Sequence, residues 1–395
     1  RYSPEPVENN GAFLYIEANE KCREPDALIE NAWLQPQRGR FFTLEQRQLL
    51  RTCVEMNAQS IETILEAQRK PFSRMPEYRY DRDMDEQDPN IHDTYLQKAY
   101  SMAEVLAIAL LDASLMGDTA RMELMGNALL RFHEMIVEGA LMQDLYIARS
   151  ISRIAVQSLE ASLNITCPPA HVIQRWQELL GEEWYTSFKA VNETHKNEIV
   201  YYTQNFSFTG IFFADDHPAS IPLKMALEWT QFEFFFPHAV IYSTKVVMDA
   251  GKRDFYTLIN LPMESLLKEF TNFRYWTIEM IDISFVEMYK SFAFHLARAA
   301  VARTALASLL YLDKHEKMPD TLEALTPGYL PLPEYDPFTQ AELLRYRVKD
   351  GDAVFYSVGP NKKDDGGTEA EVNQSVFEHG DIIFRLPLLE ADSNL

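Results

Sequence analysis

Cysteine is scarce in this chain of 395 residues: Cys22, Cys53 and Cys167 are the only three, spaced too widely for a CxxC pair or a zinc knuckle. That spacing argues against a cysteine-based metal site. It leaves two states open, one disulfide plus a free thiol in an oxidising compartment, or three buried thiols. Positive charge is also in deficit. Against 37 basic side chains stand 59 acidic ones, a formal net charge of -22, which repels phosphate backbones and anionic headgroups and argues against nucleic acid as a partner. The same charge equally describes a solvated exterior. No Gly-x-Ser-x-Gly elbow, phosphate loop, dinucleotide fingerprint or CxxCH motif occurs, which removes the commonest hydrolase, kinase, dehydrogenase and haem-attachment readings. Apolar runs able to span a bilayer are missing as well: 99–116 carries Glu104 and Asp112, and 225–248 carries Glu228, Glu233 and Lys245. These residues are expected to be soluble. The opening Arg1-Tyr2-Ser3-Pro4 lacks an initiator methionine, so an upstream signal peptide or hydrophobic anchor is expected to have been removed.

What is present is helix. Hydrophobic residues make up 47% of the chain, ample for sizeable cores, and their spacing divides it into three parts. Residues 1–42, with Pro4, Pro6, Pro25 and Pro36 among polar neighbours, read as an extended N-terminal arm. Residues 43–312 read as an α-helical body of hairpins, a bundle or TPR-like pairs. Thr43 caps its first helix, whose apolar stripe through Leu50, Cys53, Val54, Ile61 and Ile64 runs to about Gln68. Residues 71–89 break the pattern as a loop. The stretch 94–163 reads as a helical hairpin divided at Gly117-Asp118, with Asp118 as the N-cap of its second helix. Ala107, Ala109 and Ala113 supply the small surfaces that let antiparallel helices approach closely. No second copy follows at a fixed period, so a repeat array is not expected. Pro168-Pro169 opens a short helix to Leu180, helix continues over 182–202, and Phe206, Phe208, Phe212 and Phe213 crowd a core-plugging loop. A long helix, about 263–312, closes the body. Residues 313–395 then form a small β-rich α+β module, in which Asp320 and Glu323 have capping-box spacing for a short helix through Leu325.

The module carries an ordered set of segments. Met318-Pro319 is followed by Gly328-Tyr329-Leu330, Asp336-Pro337-Phe338 and Leu344-Arg345-Tyr346. After these come Tyr356-Ser357-Val358-Gly359-Pro360-Asn361, Asp364-Asp365-Gly366-Gly367 and Asp381-Ile382. In this order they resemble the C-terminal region of the major pseudopilins of type II secretion. The assembly helix that defines that family has no counterpart here, and the resemblance covers the last fifth of the chain and the helix before it. A large helical body joined to such a tail also resembles a group of bacterial envelope proteins that have no assigned activity. The pseudopilin resemblance implies a calcium site in the acidic loop, since a hard cation takes six to eight oxygens from carboxylates, amides and carbonyls. Carried onto this sequence, it implies ligands from Asn361, Asp364, Asp365 and Asp381, with the Val358 carbonyl. Asn361 stands where those proteins usually have aspartate. The alternative is a plain polar turn, because Asp and Gly are also the usual turn residues.

Other constellations point elsewhere. Glu193, His195 and Glu198 lie on an expected helix, where His195 and Glu198 at i, i+3 share a face and have the types of a metal ligand pair, but no second pair accompanies them. His133-Glu134 and His315-Glu316 lack the second histidine of a zincin helix, and Asp215-Asp216-His217 reads as a short acidic loop. Two expectations from different classes result. The first is a non-enzymatic extracytoplasmic structural or interaction protein, in the periplasm or cell envelope, with a calcium-stabilised pseudopilin-like tail. Its partners would be other proteins, an envelope complex or further copies of itself, with membrane contact only through a segment upstream of Arg1. The second is a metal-dependent enzyme with its site in the helical body.

Overall fold

The structure, a computed structural model, describes residues 9–25, 42–70, 91–132, 142–181, 276–339, 342–349, 351–370 and 379–387. Among them the chain forms eight α-helices: α1 (Ala12–Lys21), α2 (Leu44–Met56), α3 (Ala58–Ala67), α4 (Ile91–Met116), α5 (Thr119–Arg131), α6 (Met142–Ile165), α7 (Ala170–Leu179) and α8 (Trp276–His315). A 3-10 turn (Leu322–Leu325) and strands β1 (Arg345–Lys349), β2 (Asp352–Ser357) and β3 (Ile382–Pro387) follow. The protein is mainly helical with a small antiparallel sheet near the C-terminus.

Local chemistry explains where the helices start. The Thr43 hydroxyl accepts from the Gln46 amide at 3.2 Å while the Gln46 side chain accepts from the Thr43 amide at 2.9 Å, a complete capping box for α2. Asp118 accepts from the Arg121 amide at 3.0 Å and caps α5, as expected. Gly117, at φ 66°, makes the turn between α4 and α5. Pro169 precedes α7. Three features of this region depart from the sequence reading. Residues 12–21 of the supposed extended arm are helix α1, which packs on α3 and buries Tyr15, Ala18 and Asn19. The approach is close: a Cβ on Gly11 would stand 2.5 Å from the Ala67 carbonyl oxygen. The stripe over 44–68 is broken at Asn57, whose side chain accepts from the Arg23 amide at 2.8 Å and donates to the Arg23 and Cys53 carbonyls, both at 3.1 Å. The second helix of the hairpin ends at Arg131 instead of running to Leu163, and Met142–Ile165 belongs to a separate helix, α6; residues 133–141 lie outside the described residues. The supposed loops at 71–89 and 206–213 and the helix at 182–202 lie outside the described residues, as do 263–275 of the last helix.

The core is continuous through the helices. The α4 stretch Lys98–Met116 is apolar and long enough to cross a membrane by composition, yet most of it is buried inside the molecule, where α4 packs on α2, α5 and α6. Ser114 and Ser162 hydrogen-bond at 2.7 Å where α4 and α6 meet, and Asp112 pairs with Arg51 at 3.4 Å. A residue without a side chain, Gly126, admits the Trp176 indole between α5 and α7: a Cβ there would stand 2.5 Å from the ring. α8 continues three residues past Leu312 to His315, whose ring stacks on Tyr311 at 4.1 Å.

The sheet is a meander, β1-β2-β3, antiparallel throughout. Alternation along the strands gives it two faces. Ala353 and Phe355 oppose Leu386 and Phe384, and these four with Leu344 belong to the same buried core as the helices. The other face holds the small cluster Val354, Tyr356 and Ile383. Polar ties reinforce the union: Arg303 of α8 pairs with Glu334 at 3.0 Å, Gln177 of α7 donates to the Tyr329 carbonyl at 2.7 Å, and the Arg385 amide donates to Glu160 of α6 at 3.1 Å. The short helix expected at 320–325 is the 3-10 turn. Its N-cap is Thr321, not Asp320, and no side chain completes a capping box.

Candidate functional site

Two carboxylates organise the module. Asp336, in the Asp-Pro-Phe segment, is 1% exposed. Its Oδ1 accepts from the Phe338 amide at 3.0 Å and the Ser357 hydroxyl at 2.8 Å, and its Oδ2 from the Val358 amide at 2.8 Å. Burial pushes its carboxyl above the ordinary aspartate range, while those donors and the Arg345 guanidinium pull it back. Asp381, at the start of β3, is 5% exposed. Its Oδ1 accepts from the Asp365 amide at 3.3 Å and its Oδ2 from the Gly367 amide at 2.6 Å. Its own amide donates to the Thr368 carbonyl at 2.7 Å. Burial raises this carboxyl too, and the nearby Asp365 charge adds to the rise, against the lowering by those amides.

The acidic loop wraps around Asp381. Asp365 Oδ2 accepts from the Gly380 amide at 3.1 Å and from Asn361 Nδ2 at 2.9 Å, and Asn361 Oδ1 accepts from the Lys363 amide at 3.0 Å. Gly367 and Gly380 have φ of 66° and 77°, and a Cβ on Gly380 would lie 2.1 Å from the Ala370 nitrogen, so glycine is required for the two passes to touch. Asp364 turns the other way. Its Oδ2 lies 3.2 Å from Arg345 Nε and its Oδ1 accepts from the Gly366 amide at 2.9 Å. Arg345 also pairs with Glu342 at 2.7 Å and lies 3.9 Å from Asp336, so one guanidinium joins the Asp-Pro-Phe turn to the acidic loop.

Of the five expected calcium ligands, the structure thus brings Asn361, Asp365 and Asp381 together. Asp364 is drawn to Arg345, and Val358 sits at the end of β2 with its amide held by Asp336. In its chemistry the remaining donor set fits a hard cation: two carboxylates and an amide, the carboxylate oxygens each able to accept more than one partner. No ion pair neutralises Asp365 or Asp381 among the described residues. Nor do three His, Cys, Asp or Glu side chains converge as a metal-binding group among those residues, so an ion here would have to rest on two carboxylates and on amide and carbonyl oxygens.

Sequence reasoning missed Asp336 and Arg345 as organisers. An Asp-Pro pair signals a turn and an arginine in a strand signals a solvated edge, and neither signal reveals a partner 21 residues away, Ser357 for Asp336, or 19 residues away, Asp364 for Arg345. Glu193, His195, Glu198, His133, Glu134 and Asp215-Asp216-His217 lie outside the described residues. His315 is taken up in ring packing with Tyr311. Comparison with protein-family models, curated proteins and solved structures finds no match to this chain.

Proposed function

We propose that this chain is a non-enzymatic extracytoplasmic structural or interaction protein, a helical body capped by a pseudopilin-like module whose acidic loop takes one calcium ion. One observation carries the reading: the buried Asp381 lies beside Asp365, and among the described residues N–H groups are the donors that face them. A buried carboxylate raised by burial and by the charge of a neighbouring carboxylate is the condition a divalent cation relieves. Asn361, Asp365 and Asp381 would hold the ion with backbone oxygens such as that of Val358, and the ion would supply the positive charge that the loop lacks. Asp364 serves Arg345 instead. So few carboxylates suit a site of low affinity, filled where calcium is near millimolar, which supports a place outside the cytoplasm. The module's fused core and polar ties to α6, α7 and α8 support a structural role, because they fix the loop rigidly on the body.

Thermal unfolding of the full chain with calcium and with chelator tests the reading. An ion present at ten times its dissociation constant stabilises by about 1.4 kcal/mol, an upward shift of a few degrees. An unchanged midpoint at 10 mM calcium, an amount on the order of ten times a millimolar constant, sinks the calcium part.

A further inference from the structure

The N-terminal helix and the body meet at two cysteines. Cys22 is the C-cap residue of α1 and half-buried; Cys53, on α2, is fully buried. Asn57 joins them. Its Nδ2 lies 3.1 Å from the Arg23 carbonyl oxygen and 3.8 Å from Cys53 Sγ, and Cys22 Sγ lies 3.8 Å from that same Arg23 oxygen. The Asn57 Oδ1 accepts from the Arg23 amide at 2.8 Å, which pins the chain beside Cys22 from a second side. Two sulfurs far apart in sequence therefore flank one hydrogen bond, with Cys53 Sγ beside its donor, the Asn57 amide, and Cys22 Sγ beside its acceptor, the Arg23 carbonyl. Cys167 stands apart between α6 and α7, beside Asp313.

We propose that Cys22 and Cys53 form a reversible disulfide that staples α1 to the helical body. The oxidant class is a small-molecule disulfide such as oxidised glutathione. The Cys22 thiolate attacks one of its sulfurs, the small S–S bond breaks, and the released thiolate takes up the proton that Cys22 gave up. The Cys53 thiolate then attacks the Cys22 sulfur of the mixed disulfide, forming the Cys22–Cys53 bond and releasing a second small thiol that carries the Cys53 proton. Two protein thiols are oxidised and one small disulfide is reduced to two thiols. Burial, together with Cys53, Glu24 and Glu104 and against Lys98, holds the Cys22 thiol up at about 12; burial and Glu104, against the Asn57 hydrogen bond, hold Cys53 at about 11. Thiolate is thus rare at neutral pH, and exchange is slow there and accelerates as pH rises.

The test is to incubate the purified full chain with oxidised glutathione at about pH 8.5, near the ordinary thiol range, then count thiols in denaturant and map linked peptides by mass spectrometry. The thiol count is expected to fall from three to one, with Cys22 linked to Cys53 and Cys167 free. The thermal midpoint should rise by several degrees on oxidation and fall back with dithiothreitol. Cys22→Ser should abolish that rise, and Cys167→Ser should keep it. Three thiols remaining, glutathione retained on Cys22 as a mixed disulfide, or a link from Cys22 to Cys167 would each overturn the proposal.

Discussion

Asp336 accepts three hydrogen bonds from a position that water barely reaches, so replacing one of its oxygens leaves a buried donor facing a donor. Asp336→Asn is expected to destabilise the protein by about 2–4 kcal/mol, read as a lower urea midpoint with unchanged slope. Asp381 supports a sharper prediction, through pH. Its folded-state carboxyl lies above its unfolded value, so the folded state binds the proton more tightly. In chelator, this residue's contribution to stability therefore grows as pH falls through the folded pKa, and is lost as pH rises through it. The stability of the wild type relative to Asp381→Asn should accordingly rise on acidification from pH 7 toward about pH 4, the ordinary aspartate value. Saturating calcium should reverse the trend, because protonation then expels the ion. Paired urea titrations across that range check both halves. At this scale the sequence revealed the acidic residues but not their division of labour: Asp364 and Asp365 are neighbours in the chain, and only the fold sends one to Arg345 and the other to Asp381.

Elements with a cap and a strong apolar stripe could be read directly. The α2 start at Thr43, the α5 start at Asp118 and the α7 start after Pro169 all follow from one or two residues. α1 could not, because its apolar residues run consecutively from Ala12 to Ile16, no side chain caps it and it sits between prolines; its helicity is settled by packing on α3. The break at Asn57 was equally hidden, since its cause is a partner at Arg23 and not a proline or glycine. Two substitutions separate these cases. Thr43→Ala removes a local cap and should lower stability by about 1 kcal/mol. Gly126→Ala drives a methyl group into the Trp176 ring and should lower it by about 1–3 kcal/mol, despite the better helix propensity of alanine. Chemical denaturation of each variant distinguishes the two magnitudes.

Over the whole molecule, the largest buried core runs from the helices onto one face of the sheet. Alternation in β2 and β3 shows that one strand face is apolar, but not what covers it; the cover is the helical body itself. Phe384→Ala should therefore destabilise body and module together by about 3–5 kcal/mol, with far-UV circular dichroism and tyrosine fluorescence reporting one coincident transition. Separate transitions would mean that the module folds independently.

The central claim concerns the ion, and equilibrium dialysis of the full chain with radioactive calcium tests it most directly. The account predicts one saturable site per chain with a dissociation constant of about 0.1–1 mM, absent in the Asp365→Asn, Asp381→Asn double variant while its helical circular dichroism persists. No saturable binding, or equal binding by the variant through the general negative charge of the surface, would contradict it.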